Sequence, residues 1–282
     1  MRTLLTSIAA ATLLALGLRF GAALAAEPIE VPSGDVKLRA MLYRPAGPGP
    51  IPAVEALHTC DGLSSVLGDG EGIDARYQEW GEHLAKAGFA VLFPDSFGSR
   101  GVSAQCGQRQ RTVRASRTRI NDARAARQWL QAQPWVIADR VSLLGWSHGA
   151  TTALWTIRRR STGGQSKTPD FRSAVVLYPN CQRAGSLAWS ASVPTLILIG
   201  RADDWTSAAA CEQMVAGARG RSAGTQITVY PGALHDFDRK DLAPQERSGL
   251  ANTVSPNGRV HIGTNAAARA DAFKRVPEWF SR

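Results

Sequence analysis

Short β-rich apolar runs recur along this chain with helical stretches between them, and that alternation restricts the fold more than any other feature. The strand candidates are Val36–Tyr43, Ala53–His58, Phe89–Pro94, Val141–Gly145, Ala174–Tyr178, Thr195–Ile199 and Gln226–Tyr230. The helix candidates are Asp74–Ala87, Val113–Gln131, His148–Arg158, Ala208–Ala218 and Ala266–Trp279. Strands alternating with helices read as an open, mostly parallel sheet with crossover helices on both faces, an α/β architecture. In such sheets ligands bind outside the carboxyl ends of the strands, so the residues that follow each strand carry the functional information.

The first 25 residues stand apart. They begin MRTLL, run through the Ala/Leu-rich stretch IAAATLLALGL and end at Ala23-Leu24-Ala25, which reads as a secretory signal with a small-x-small cleavage site. Arg19 breaks the apolar run before it reaches the ~20 residues of a spanning helix. Residues 26–282 show no linker and no internal repeat, and their length fits one domain with a single core. Hydrophobic residues make up 44% and charged residues 20% of the chain, which excludes a disordered or fibrous protein. The formal charge of +10 falls by two when Arg2 and Arg19 leave, and the basic surface that remains favours anionic partners.

Export sets how Cys60, Cys106, Cys181 and Cys211 are read, because disulfides persist outside the reducing cytosol. Four cysteines allow three pairings. The two local ones, 60 with 106 and 181 with 211, are expected, each removing roughly 3–4 kcal/mol of denatured-state entropy in the loop-closure account. No C-x-x-C spacing and no histidine at ligand spacing support a metal site, and no cofactor is implied.

After the strand at Val141 comes Gly145-Trp146-Ser147-His148-Gly149, followed by a helical run. This is G-x-S-x-G in its strand–turn–helix setting, which lifts a serine Oγ into solvent at the top of a sheet. Such a serine needs a general base, and the base needs an orienting carboxylate, in the chain order Ser, Asp, His for this architecture. Asp203 and Asp204 follow one strand, and His235 follows the next. His261 follows no strand of the series, so His235 is the expected base.

These segments resemble the dienelactone hydrolase family of the α/β-hydrolase superfamily, from about Val36 to Trp279. The resemblance rests on LHTCDGL (57–63), LFPDSFGSRG (92–101), LLGWSHGA (143–150), LIGRADDWT (198–206) and YPGALHDFD (230–238). It places the family's Gly-x-x-Asp on Gly200 and Asp203, which favours Asp203 over Asp204 as the triad acid. It implies an oxyanion hole from the backbone N–H groups of Cys60 and His148. A Cys60–Cys106 bridge would then pin the donor loop to the loop after Asp95. Two family features are absent: members that open dienelactones use a cysteine where Ser147 stands and a glutamate on the loop that holds Thr59. Ordinary ester or lactone hydrolysis is therefore expected. Arg239, four residues after His235, and Arg100, one position displaced, match the family's substrate arginines in part, which favours a small acidic ester.

The expectation is a periplasmic or secreted serine hydrolase acting on a small-molecule ester or lactone through an acyl-enzyme. The rivals are a peptidase of the same superfamily and a non-catalytic binding protein on the same fold. Arg109, Arg111, Arg114, Arg117, Arg119, Arg124 and Arg127 cluster around one helix with Trp129 as its sole aromatic, which reads as a solvated face and not a nucleic-acid site. His58 reads as a buried strand-end histidine with backbone partners, and His83 as a surface residue.

Overall fold

The computed structural model describes residues 25–64, 72–159 and 169–282. The expected signal segment, up to residue 24, and the Gly/Ser-rich stretch 161–167 lie outside them. The elements in chain order begin with β1 (Ala25–Ser33), β2 (Val36–Arg44), β3 (Ile51–Leu57), α1 (Ala75–Lys86), β4 (Ala90–Pro94) and α2 (Thr118–Gln131). There follow β5 (Val136–Trp146), α3 (His148–Thr156), β6 (Ala174–Leu177), α4 (Gln182–Ser186), β7 (Thr195–Gly200) and α5 (Ala208–Gly217). The chain ends with β8 (Thr225–Tyr230), β9 (Gln245–Arg247), β10 (Val260–Ile262) and α6 (Ala266–Phe280).

Eight strands form one sheet in the order β1-β2-β4-β3-β5-β6-β7-β8. The β1/β2 and β2/β4 pairs are antiparallel, and the remaining pairs from β4 to β8 are parallel. All seven expected strands are present, with ends that differ by no more than five residues. The central ones are buried on both faces, as the continuous apolar runs of β6 and β7 require.

Neighbouring residues on β5 show how helices come to cover both faces, because side chains alternate along a strand. The Trp146 ring packs on Tyr77 and Trp80 of α1, with centroids 5.4 and 5.9 Å away. Gly145 points the other way, against the backbone of α3. Helix α6 joins α1, with Phe273 stacked on Trp80 at 3.9 Å. His83 is held in that seam: its Nε2 lies 2.7 Å from the Phe273 carbonyl, so it is half-buried between helices and not a surface residue.

Two further expectations are corrected. Helix α2 begins at Thr118 and not at Val113, because Val113–Arg117 forms a bend and a turn, entered where the N–H groups of Thr112 and Val113 donate to the Gln105 side chain. The basic cluster around it is not a uniformly solvated face, for Arg119 and Arg127 are buried. Arg127 pairs with Asp170 and lies over the Phe171 ring.

Both local disulfides are formed, Cys60–Cys106 and Cys181–Cys211. The polar excursion Leu242–Thr264 contains the small β9/β10 pair. With Leu242 and Leu250 it builds a second apolar cluster around the Cys60–Cys106 bridge, Trp205, Val260 and Ile262. The segment therefore walls one side of the sheet's carboxyl end. No helix among the described residues is long and apolar enough to cross a membrane.

Candidate active site

Ser147 sits at the junction of β5 and α3 with φ 49° and ψ −110°, a left-handed conformation that a serine adopts only under constraint. The constraint is the packing of both glycines of the motif. A Cβ on Gly145 would stand 2.7 Å from the Gly149 carbonyl carbon, and one on Gly149 would collide with the Leu57 carbonyl oxygen. Only glycine lets α3 approach β3 and β5 this closely. The turn is fastened by the Ser147 N–H, which donates to the Leu177 carbonyl at 3.0 Å, and by the Thr151 hydroxyl, which donates to the Ser147 carbonyl at 3.0 Å.

Three side chains from successive strand ends meet here. The Ser147 Oγ is 3.0 Å from His235 Nε2, and His235 Nδ1 is 2.7 Å from Asp203 Oδ2. All three are buried, with Ser147 7% and His235 1% exposed. Asp203 is held on every side. Its Oδ1 accepts from the N–H groups of Trp205 and Thr206, and its Oδ2 also accepts from the Thr206 hydroxyl at 2.9 Å. With these donors fixing its orientation, Oδ2 faces the imidazole, which is held with Nδ1 as donor. Burial alone would lower the His235 pKa, but the charge and hydrogen bond of Asp203 outweigh it and the net shift is upward. The ring is packed between Tyr178 and Trp205, centroids 4.4 and 4.7 Å away.

Asp204, the neighbouring carboxylate, points elsewhere. It accepts from the His261 N–H and faces His261 Nδ1, both at 2.8 Å, and so ties β10 to the loop after β7. The ambiguity between two adjacent aspartates is thus resolved geometrically: one reaches His235 and the other anchors the wall.

The His148 N–H is at the first position of α3, where no intrahelical acceptor exists. Leu57 and Gly145 are register partners across β3 and β5, so the loop His58-Thr59-Cys60 emerges beside the elbow. That loop is braced at several points. The Tyr77 hydroxyl accepts from the Thr59 N–H at 2.9 Å, the Thr59 hydroxyl accepts from the Asp61 N–H, and the Cys60 carbonyl accepts from Gln105. His58 has the backbone partners expected of it: Nδ1 donates to the Thr59 carbonyl and Nε2 accepts from Ser96. Burial and the Arg119 charge hold it far below the ordinary imidazole range. Cys60, Asp61 and Cys106 cluster closely enough for a metal ion, but both sulfurs are spent in the bridge.

The substrate arginines inferred from the resemblance are differently employed. Both arms of the Arg100 fork are taken by buried Asp122, at 2.7 and 2.9 Å, which braces the loop after β4 against α2. Arg239 lines a cavity of about 450 Å³ beside Cys106, Leu242 and Ile262. Its fork is held by Asp74 with two 3.0 Å bonds, and Asp236 lies 3.7 Å away. Arg247 in the same cavity is paired with Asp61 and lies over Trp205. The charged side chains in the cavity wall are therefore paired with one another, and Leu242, Leu250 and Ile262 supply its apolar part.

A buried polar network under the elbow escaped sequence reading. Asp238 accepts from Trp80 Nε1, Trp146 Nε1 and the Tyr178 hydroxyl at 2.8, 2.9 and 2.6 Å. Arg76 donates to Tyr178 and forms a 2.6 Å ion pair with Asp236, next to His235. The LHDFD segment holds both aspartates, but only the burial of α1 against it reveals their partners.

Residues 38–282 match the Dienelactone hydrolase family. No curated protein matches the chain. Among solved structures, a Klebsiella pneumoniae subsp. pneumoniae protein carrying the dienelactone hydrolase name superposes with a TM-score of 0.68 at 19% identity, covering 92% of this chain and 99% of that one. Esterase 2 of Thermogutta terrifontis, phosphorylated by paraoxon, gives 0.61 at 16% identity over 90% of this chain and 92% of its own. An acylaminoacyl peptidase of Pyrococcus horikoshii gives 0.63 at 13% identity, over 92% of this chain but 41% of its own. At these identities the likeness is one of fold, the α/β-hydrolase fold.

Proposed function

The chain belongs to the dienelactone hydrolase family, and from that premise we propose that it is an exported serine hydrolase of carboxylic esters or lactones. The observation that carries this reading is the unbroken hydrogen-bond line from Ser147 Oγ through His235 to Asp203. Ser147 Oγ attacks the ester carbonyl as its proton passes to His235 Nε2. The developing oxyanion is received by the N–H groups of His148 and Cys60. Collapse breaks the ester bond, and the leaving oxygen takes the proton from Nε2. Water then attacks the acyl-enzyme, gives a proton to Nε2, and the acid departs as Ser147 recovers its hydrogen. Export is supported by the N-terminal sequence and the two disulfides.

A serine nucleophile suits this reading, because a hydroxyl depends on a paired imidazole for activation. The test is labelling with a fluorophosphonate probe followed by peptide mass spectrometry. The expected result is one adduct on Ser147, abolished in His235→Ala. Absence of labelling in folded protein would contradict the reading and favour a binding role.

A further inference from the structure

Two concavities of about 870 and 910 Å³ meet beside α3, sharing Ser116, Arg117, Trp155 and Arg183 in their walls. The first borders the candidate active site at the start of α3, for its lining includes His148 and Thr151, the residue after Ser147 and the one whose hydroxyl fastens the Ser147 carbonyl. It also carries Arg109, Arg111, Arg114, Arg117 and Arg183. The second adds Arg158, Arg159 and Arg221. Among the described residues no aspartate or glutamate lines either one.

What sets these arginines apart is their gathering along one concave path with no described carboxylate in its walls, for Arg44, Arg140 and Arg219 elsewhere are also outside any ion pair with a side-chain carboxylate among the described residues. Arg39, Arg76, Arg100, Arg127, Arg201 and Arg239 each face a carboxylate, as do Arg247, Arg259, Arg269 and Arg275. Among the described residues none of the eight groove arginines is in an ion pair with one. Those with side-chain partners donate to backbone carbonyls: Arg111 to Gln105, Arg158 to Leu187, Arg221 to Ala188 and Gly217. Unpaired guanidinium groups along a concave path keep their field and bind repeated anions by their planar forks. Trp155 stands where the two concavities join, with the Arg158 guanidinium 5.5 Å from its ring, and offers a flat apolar face among the charges.

We propose that the ester is carried by an acidic polysaccharide, an O-acetylated chain of uronate sugars that lies along this groove. The proposal rests on the esterase reading and names its substrate class. Spaced carboxylates match spaced arginines, and sugar rings match Trp155. A lipid surface fits less well, since Leu187 and Val254 are the large apolar side chains exposed among the described residues. In the reaction, the polymer oxygen leaves with the proton from His235 Nε2, the acetyl group stays on Ser147, and water releases it as acetate. The polymer keeps every carboxylate and so remains a ligand of the groove as it moves to the next acetyl group.

The test separates binding from turnover. Polygalacturonate is titrated calorimetrically into Ser147→Ala protein, with neutral dextran and phosphatidylglycerol vesicles as comparisons. Saturable binding to polygalacturonate alone is expected, weakened by added salt. The pair Arg117→Gln/Arg183→Gln should lose about tenfold or more in affinity, whereas Arg201→Gln/Arg275→Gln, with the same change of charge, should lose less than about twofold. Wild-type protein should then release acetate from O-acetylated polygalacturonate. Failure to bind the polymer, a preference for the vesicles, or equal loss in both variant pairs overturns the proposal. So does binding without acetate release in protein that hydrolyses p-nitrophenyl acetate. If p-nitrophenyl acetate is turned over and the polymer is not bound, the esterase reading stands and this one falls. If the polymer is bound and neither ester is cleaved, the esterase reading falls and the substrate assignment with it.

Discussion

Arg119 Nη1 lies 3.0 Å from His148 Nδ1, and the same nitrogen donates to the His58 carbonyl at 2.8 Å. One buried guanidinium on α2 therefore joins the residue after Ser147 to the loop that leads to Cys60, the two places from which an oxyanion would be held in the proposed reaction. Because Arg119 can only donate, it fixes His148 with the proton on Nε2. Burial and the Arg119 charge both push the His148 pKa far down, so the ring stays neutral.

Arg119→Lys should keep the positive charge, but its shorter side chain leaves the ammonium short of the two acceptors that Nη1 reaches. We expect kcat for p-nitrophenyl acetate to fall about 10- to 100-fold, from loss of about 1.5–3 kcal/mol of charged hydrogen bonding at the donor loops. KM should change much less. Steady-state kinetics with a circular-dichroism check of folding reads this directly. An unchanged kcat would show that the bridge is architectural only.

The two adjacent aspartates should separate cleanly. Asp203→Asn removes the acceptor of His235 Nδ1 and should lower kcat by about 10³- to 10⁴-fold. Asp204→Asn touches only the His261 anchor, and its kcat should stay within about threefold of wild type. Kinetics of the two variants side by side checks both statements.

The base must be neutral to accept the serine proton, so activity must be lost as pH falls through the His235 pKa. Burial depresses that pKa and Asp203 raises it by more, so the acid limb of kcat/KM should lie above the ordinary imidazole value of about 6.5. A pH–rate profile from about pH 5 to 9 measures it. In Asp203→Asn the residual activity should show the limb displaced to lower pH.

Asp236 is fully buried against Arg76, and that guanidinium, with help from His235 and Arg239, outweighs the upward push of burial and holds its carboxyl far below the usual range. A depressed native pKa stabilises the fold above the unfolded value of about 3.9, and this contribution is lost as pH falls through the native value. Asp236→Asn should cost about 3–5 kcal/mol at neutral pH, since it leaves Arg76 buried without its partner. The difference should shrink in acid, where the wild-type carboxyl also takes up a proton. Urea unfolding at several pH values gives the comparison.

The disulfides should differ in what their loss affects. Each closes a loop of a few tens of residues, so Cys→Ser at either pair should cost roughly 3–4 kcal/mol. Only the Cys60–Cys106 bridge belongs to the donor loop, so Cys60→Ser/Cys106→Ser should also lower kcat well beyond Cys181→Ser/Cys211→Ser. Thermal unfolding and kinetics on both double variants decide it.

The parallel core was legible because its signal is local: apolar runs such as those of β6 and β7 name themselves, and the glycines around Ser147 announce a strained turn. Strand β1 was not, because its apolar residues are interrupted by Pro28 and Pro32 and its pairing is to β2 at an edge. Asp203, His235 and Ser147 were legible through order along the chain and resemblance. The buried state of Arg119 was hidden, since helix periodicity gives the face of α2 on which an arginine lies but not what packs against that face. Arg239 lines a cavity beside Cys106, yet its fork is held by Asp74, a residue 165 positions away that sequence offered no means of pairing with it.

The most direct test of the account is hydrolysis of p-nitrophenyl acetate and butyrate by purified oxidised protein beside Ser147→Ala. The account predicts turnover by the wild type that falls to the uncatalysed background in the variant. Equal turnover in both proteins, or none in either when both are folded, would contradict it.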